Sequence, residues 1–106
     1  MKIREFTGQN WLRWLDVRAL TIYPFVFYRA ATPSKTLRNH EAIHIAQVRR
    51  DGWLRFYTRY LWEYLRGRWR GLAHKEAYRA IGYEAEAYAH QDDPGYPARL
   101  ATRNIA

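Results

Sequence analysis

The clearest pattern in the chain is helical, because apolar side chains recur every three or four residues across its middle. The first such stretch predicts a helix over 35–50. One side of that helix carries Leu37, His40, Glu41, His44 and Val48. Thr32 or Ser34 can cap its start, and Gly52, which follows two arginines and an aspartate, is typical of a helix end.

Two further helices are predicted towards the C-terminus. The second covers 53–65, and its apolar positions are Trp53, Leu54, Tyr57, Tyr60, Leu61, Tyr64 and Leu65. A turn is predicted over 67–71, which begins and ends with glycine. The third helix is predicted over 72–90 and stops before the breaker Asp-Asp-Pro-Gly at 92–95. Residues 96–106 show no periodicity.

The N-terminal part of the chain favours strands. Residues 18–29 are rich in β-branched and aromatic side chains, which predicts one or two strands, and Pro24 marks an edge, a bulge or a bend. Residues 10–16 are compatible with a short helix or a turn. The expected fold class is α+β and mostly helical, with a short edge strand or hairpin followed by three main helices. Residues 1–106 are expected to form one domain.

Composition narrows the class of protein. The chain has no cysteine, so a metal ion would be held by histidine and carboxylate rather than by thiolate. Its net charge is +8 and most of its basic residues are arginine, which favours an anionic partner such as nucleic acid or a lipid surface. The N-terminus has no apolar run of signal-peptide length, and no window approaches the roughly 20 apolar residues of a membrane span. We therefore expect a cytoplasmic protein, with attachment to a membrane surface left open.

The most specific motif is H-E-x-x-H, which begins at His40 and ends at His44. Residues four apart lie on one face of a helix, so the two imidazoles can point at a single zinc ion. Glu41 lies beside the first histidine, where it can act as the general base on a water molecule. The alternative interpretation is a surface helix that carries two unrelated histidines.

A catalytic zinc site needs a third protein ligand and a position open to water. The candidates are His74, Glu76, Glu84, Glu86 and His90. The apolar stripe of the third predicted helix consists of Ala77, Ala80, Ile81, Ala87 and Tyr88. Glu84 falls in the middle of that stripe, where a carboxylate is costly unless it is paired or bound to metal. Glu84 is therefore the preferred ligand, and a salt bridge from Glu84 to an arginine is the alternative.

These two motifs together resemble the gluzincin clan of zinc metallopeptidases, in which a glutamate on a later helix completes an H-E-x-x-H site. Members of the clan often show E-x-x-A-D at that glutamate, and residues 84–88 match the first four positions, with Tyr88 in place of the aspartate. The resemblance implies one zinc ion per chain, the zinc ligands His40, His44 and Glu84, and the general base Glu41. In the other register of the motif, Glu86 would be the third ligand.

The function predicted by these features is hydrolysis of peptide bonds in a peptide or protein substrate. Tyr88 or Tyr96 could stabilise the oxyanion, and an edge strand at 23–28 could pair with an extended substrate. The competing interpretation is a basic module that binds nucleic acid or a membrane surface, with a structural or vestigial zinc site. It is supported by 49–79, which has nine basic and three acidic residues among aromatic ones. The aromatic helix at 53–65 could rest on a bilayer surface.

Overall fold

The fold is α+β and mostly helical, as predicted. The structure is a computed structural model, and it describes residues 2–102 except for the side chain of Thr102. Within these residues the elements are β1 (Arg4–Phe6), a 3₁₀-helix (Asn10–Leu15), β2 (Ala19–Ile22), β3 (Phe25–Tyr28), α1 (Lys35–Asp51), α2 (Trp53–Trp69), α3 (His74–Ala80), α4 (Gly82–His90) and α5 (Tyr96–Thr102).

The three strands form one small sheet in the order β1, β3, β2. β2 and β3 are an antiparallel hairpin whose turn contains Pro24, and β3 also pairs in parallel with β1. The expectation of an edge strand at 23–28 is therefore wrong, because β3 is the central strand. The second partner of β3 is β1, near the N-terminus. Next to this pairing, Arg4 N donates a hydrogen bond to Pro24 O over 3.0 Å. Among the described residues, the edges of this sheet are β1 and β2.

Helix α1 is the central helix of the fold. Of the two predicted caps, Ser34 is the one in place, and its hydroxyl accepts a hydrogen bond from the backbone N–H of Leu37 over 3.1 Å. The buried residues of α1 are His40, Glu41 and all of 43–48. Gly52 ends the helix with a φ of 86°, a backbone conformation that glycine adopts without strain. Because α1 is buried on nearly all sides, its polar residues must find partners in the interior.

The third predicted helix, 72–90, is in fact two helices. Ile81 has an extended backbone with a ψ of 128°, so it ends α3 and precedes α4. The first amide of α4 is satisfied from outside the helix, since Gly82 N donates to Glu63 Oε1 of α2 over 2.8 Å. The break changes the direction of the chain one turn before Glu84.

Helix α5 lies in a part of the chain that shows no periodicity. Its side chains Tyr96 and Leu100 are buried in a cluster with Ile43 and Ala46 of α1. A helix of seven residues has too few turns for a clear pattern, and such short helices depend on tertiary packing. The sequence prediction missed α5 because α1 supplies the burial that stabilises it.

Helix α2 continues to Trp69, through part of the predicted turn, and Gly67 inside it lets α3 approach closely. A Cβ at Gly67 would lie 3.1 Å from Ala77 Cβ and 3.2 Å from Ala77 Cα. The close approach accompanies a contact between Tyr60 of α2 and Tyr78 of α3, whose ring centroids are 6.3 Å apart. Gly67 is thus a packing residue rather than a turn residue.

We expect Gly67→Val to lower the free energy of unfolding by about 1–3 kcal/mol, because the added side chain would force α2 and α3 apart. Urea denaturation followed by circular dichroism measures this change. Gly82→Ala is the control, since a Cβ there meets Glu63 Oε1 at an ordinary 3.4 Å. Gly82→Ala should alter stability by less than about 1 kcal/mol. A Gly67→Val protein as stable as the wild type would contradict the close packing.

Candidate metal centre and its cleft

Helices α1 and α4 bring three potential metal ligands together in the interior. His40 Nε2 lies 2.9 Å from Glu84 Oε1, and His44 Nε2 lies 3.0 Å from Glu84 Oε2. All three residues are buried, and one ligand atom from each lies within 4.8 Å of the other two. Ligands bound at 2.0–2.1 Å to a tetrahedral zinc ion are about 3.3 Å apart. The cluster is therefore close to the size that such an ion requires.

The electrostatics of this cluster favour a bound cation. Burial alone would lower the pKa of His44, but the adjacent Glu84 carboxylate outweighs burial and raises that pKa to about 9. Burial alone would raise the pKa of Glu84, but its contacts with His40 and His44 hold it well below its usual range. The alignment of His44 Nε2 with Glu84 does not satisfy hydrogen-bond geometry, so this buried nitrogen has no hydrogen-bond partner among residues 2–102. Zinc fits these residues, because it would bind that nitrogen and neutralise the buried carboxylate.

Amide oxygens outside the cluster orient both imidazoles. His44 Nδ1 lies 2.8 Å from Gln47 Oε1, and His40 Nδ1 lies 2.9 Å from Gln91 Oε1. The Gln47 amide is itself fixed, because its Nε2 donates to a backbone carbonyl of α4 and to Glu86 Oε1. An amide oxygen can only accept, so His44 donates from Nδ1, and Nε2 is the nitrogen that would give up its proton to a metal ion. Both histidines therefore turn Nε2 towards Glu84, as metal-ligating histidines do when a second group holds the other nitrogen.

The other candidates for the third ligand lie outside the cluster. Glu86 Oε2 accepts a hydrogen bond from Tyr96 OH over 2.6 Å, while Glu86 Oε1 accepts from Gln47 over 2.8 Å. Glu86 thus supports the residue that orients His44. The remaining candidates contact other groups. His74 is hydrogen-bonded to the hydroxyl of Tyr64, and Glu76 accepts a hydrogen bond from the backbone N–H of Ala73. His90 stacks on the ring of Tyr96.

Glu84 has one further partner, which the sequence did not indicate. Tyr60 OH donates to Glu84 Oε2 over 2.5 Å. Burial and the negative charge of Glu84 raise the pKa of Tyr60, so the phenol keeps the proton that it donates. In the part of the chain that the structure describes, the ion pairs of Glu84 are with the two histidines. The alternative salt bridge from Glu84 to an arginine is therefore not formed.

Glu41 lies in the wall of a cleft of about 750 Å³, which also reaches His40. Its Oε1 accepts a hydrogen bond from the hydroxyl of Thr21 over 2.8 Å. Thr21 belongs to β2, so the sheet fixes the orientation of this carboxylate. A carboxylate held in a fixed orientation therefore shares the wall of this cleft with His40.

The cleft is strongly basic. Its lining includes the cations Arg18, Arg29, Lys75 and Arg79. The acidic residues in this lining are Glu41 and Asp16. Among residues 2–102, no ion pair involves any of the four cations. Their charge is thus available to a group that enters the cleft.

The two tyrosines suggested for oxyanion stabilisation differ in position. Tyr88 lines the cleft, and its ring centroid is 4.6 Å from that of His40. The Arg79 guanidinium lies over the Tyr88 ring, 4.4 Å from the ring centroid. Tyr96 instead directs its hydroxyl to Glu86. The geometry therefore favours Tyr88.

Sequence analysis missed the residues that hold the site in place. Gln47 carries a detectable signal, since it is a polar residue three positions after His44 on a helix that is otherwise buried there. Tyr60, Gln91 and Thr21 carry none, because each comes from a different element and meets the site through tertiary packing.

Neither a protein-family model, nor a curated protein, nor a solved structure matches the chain. A group of two histidines and a glutamate is common to several kinds of metal site and is not diagnostic of the gluzincin clan. The resemblance to that clan therefore stays a prediction.

Replacing Gln47 by leucine should weaken zinc binding by about 10- to 100-fold, because the His44 ring loses the acceptor that orients it. Competition with a chromophoric zinc chelator measures the affinity, and circular dichroism checks that the helices remain. Gln9→Leu makes the same substitution in the loop before the 3₁₀-helix and should leave the affinity unchanged. Equal affinities for the two variants would show that Gln47 does not position the ligand.

Proposed function

We propose that the protein is a zinc-dependent metallopeptidase with one zinc ion held by His40, His44 and Glu84. The observation that carries this proposal is a buried cluster of three ligands with the Glu41 carboxylate beside it in the wall of a cleft. Structural zinc sites are closed by four protein ligands, whereas catalytic sites combine three with a position for water. A three-ligand cluster next to a cleft suits the catalytic kind.

The chemistry follows from the roles that these residues can take. A zinc ion held by His40, His44 and Glu84 would supply Lewis acidity for the carbonyl and for the attacking water. Glu41 takes a proton from the attacking water and passes it to the leaving amine. The hydroxyl of Thr21 engages Oε1 of Glu41, which assigns the proton transfer to Oε2. Tyr88 donates to the oxyanion from the wall of the cleft.

In this proposal the backbone of an extended substrate pairs with β2, because β2 is an edge strand that reaches the cleft at Ala19. The other end of this edge is already covered by Tyr57 of α2. Tyr57 OH donates to Thr21 O over 3.0 Å and accepts from Tyr23 N over 2.8 Å. Strand pairing is thus confined to the end near Ala19, which is the end next to the basic cleft.

The charge of the cleft defines a class of substrate. Four cations surround an opening that reaches the general base, so acidic side chains near the scissile bond would be attracted and basic ones repelled. We therefore assign to the enzyme peptides with glutamate or aspartate close to the bond that is cleaved.

Glu41→Gln should abolish hydrolysis and keep the metal, because glutamine is nearly isosteric but cannot take up a proton. The loss in kcat/KM should be about 10²- to 10⁴-fold, the usual contribution of a general base. Quenched fluorogenic peptides rich in glutamate measure the activity, and elemental analysis measures the zinc.

Glu76→Gln is the matched control for this experiment, since Glu76 lies at the exposed start of α3 and outside the metal cluster. It should retain the activity of the wild type. Activity retained in Glu41→Gln would refute the proposed mechanism, whatever the zinc content.

Peptides with glutamate next to the scissile bond should be cleaved about five- to tenfold more efficiently than matched peptides with glutamine, owing to the basic cleft. Arg79→Gln should reduce this ratio without removing zinc, and salt at about 0.5 M should reduce it as well. The measurement is kcat/KM for each peptide pair. A preference for lysine-containing peptides would contradict this substrate class.

A further inference from the structure

Helix α2 presents an apolar surface to solvent. Its exposed large apolar residues are Trp53, Leu54, Leu61, Trp62, Leu65 and Trp69. Trp69 is 91% exposed, and the others are all more than half exposed. Most exposed apolar residues on proteins are scattered singly, and a contiguous group marks an interaction site. We call the residues Leu54, Thr58, Leu61, Trp62, Leu65 and Trp69 the outer stripe of α2.

The outer stripe is one continuous face of the helix. At 3.6 residues per turn its six members fall within about 100° of one another around the helix axis, including the adjacent pair Leu61 and Trp62. The opposite side of α2 is the one that packs on the protein, and it carries the buried residues Phe56 and Gly67. Helix α2 is thus apolar on two opposed sides, of which the fold covers one.

Arginines border the outer stripe. Arg55 and Arg66 lie along one border and Arg68 along the other, as the helical spacing requires, and all three are exposed. The single acidic residue of α2 is Glu63, which is turned towards α4 and accepts a hydrogen bond from Gly82 N. The surface therefore combines leucine and tryptophan in the centre with positive charge at the edges.

We infer that the outer stripe binds the surface of an anionic lipid bilayer. Leucine and tryptophan side chains would enter the boundary between headgroups and acyl chains, while the flanking arginines would contact lipid phosphates. None of the helices in residues 2–102 is long and apolar enough to cross a membrane. The geometry is that of a helix lying in the interface.

Charge complementarity distinguishes this partner from two others. A second copy of the chain, paired through the same stripe, would bring the bordering arginines of both copies together, which is unfavourable. A nucleic acid would be attracted by the arginines and could stack bases on Trp62 and Trp69, but the three leucines of the stripe would stay exposed to water. An anionic bilayer matches the apolar centre and the positive borders at once.

Vesicle co-sedimentation tests this inference, and it is independent of the proposed hydrolysis because binding needs neither zinc nor Glu41. The wild-type chain should sediment with phosphatidylcholine vesicles that contain about 30% phosphatidylglycerol, and much less with phosphatidylcholine alone. Raising the salt from about 0.1 M to about 0.5 M should weaken the binding. No binding to the anionic vesicles would overturn the inference.

Two variants separate the apolar and charged contributions. Trp62→Ser combined with Leu65→Ser should lower the partition coefficient about tenfold or more, because two exposed apolar anchors are removed. Arg55→Gln combined with Arg66→Gln should lower binding to anionic vesicles but not to neutral ones. Circular dichroism checks the fold, which these exposed positions should leave intact.

Trp14→Ser is the matched control, because Trp14 is 92% exposed but lies on the 3₁₀-helix. It should bind vesicles like the wild type. An equal loss in Trp14→Ser would indicate nonspecific adsorption and overturn the inference. So would a dimer, or tight binding to a DNA duplex, that the Trp62→Ser and Leu65→Ser substitutions abolish.

Discussion

The rest of the structure depends on a carboxylate buried between two imidazoles. Glu84 is 1% exposed, and an isolated charge in such an interior costs several kcal/mol. His40 and His44 offset that cost when they lie within 3.0 Å of its oxygens. This requirement fixes how α4 sits on α1, since a small rotation of either helix would separate the charge from its partners. Tyr60 adds a third contact and ties α2 to the same point.

Around that point the polar interior is arranged in layers. Gln47 and Gln91 orient the histidines, and Glu86 in turn orients Gln47. Asn39 then holds the chain beyond α4 by donating to the backbone carbonyls of Gln91 and Asp93. Each layer restrains the one inside it, so the ligand atoms are held in position by rigid helices rather than by loops. Such preorganisation is what a metal site needs to bind tightly, and it explains why so many polar groups are tolerated in a small core.

The sequence predicts which three side chains come together better than it predicts the elements that carry them. The four-residue spacing of His40 and His44 is a local property of one helix, so it survives in any fold that keeps the helix. The burial of Glu84 follows from the apolar residues that come after it, even though the predicted long helix breaks at Ile81. The central position of β3 and the presence of α5 could not be predicted, because each depends on a partner far away in the sequence.

The most direct test of the account is the metal content of the purified chain beside His44→Ala, Glu84→Gln and Glu86→Gln. We predict about one zinc ion per chain in the wild type, and its loss in both His44→Ala and Glu84→Gln, because catalytic zinc sites use three protein ligands. Glu86→Gln should keep the metal, since Glu86 lies outside the cluster. A wild-type chain without zinc, or zinc that persists in Glu84→Gln, would contradict the account.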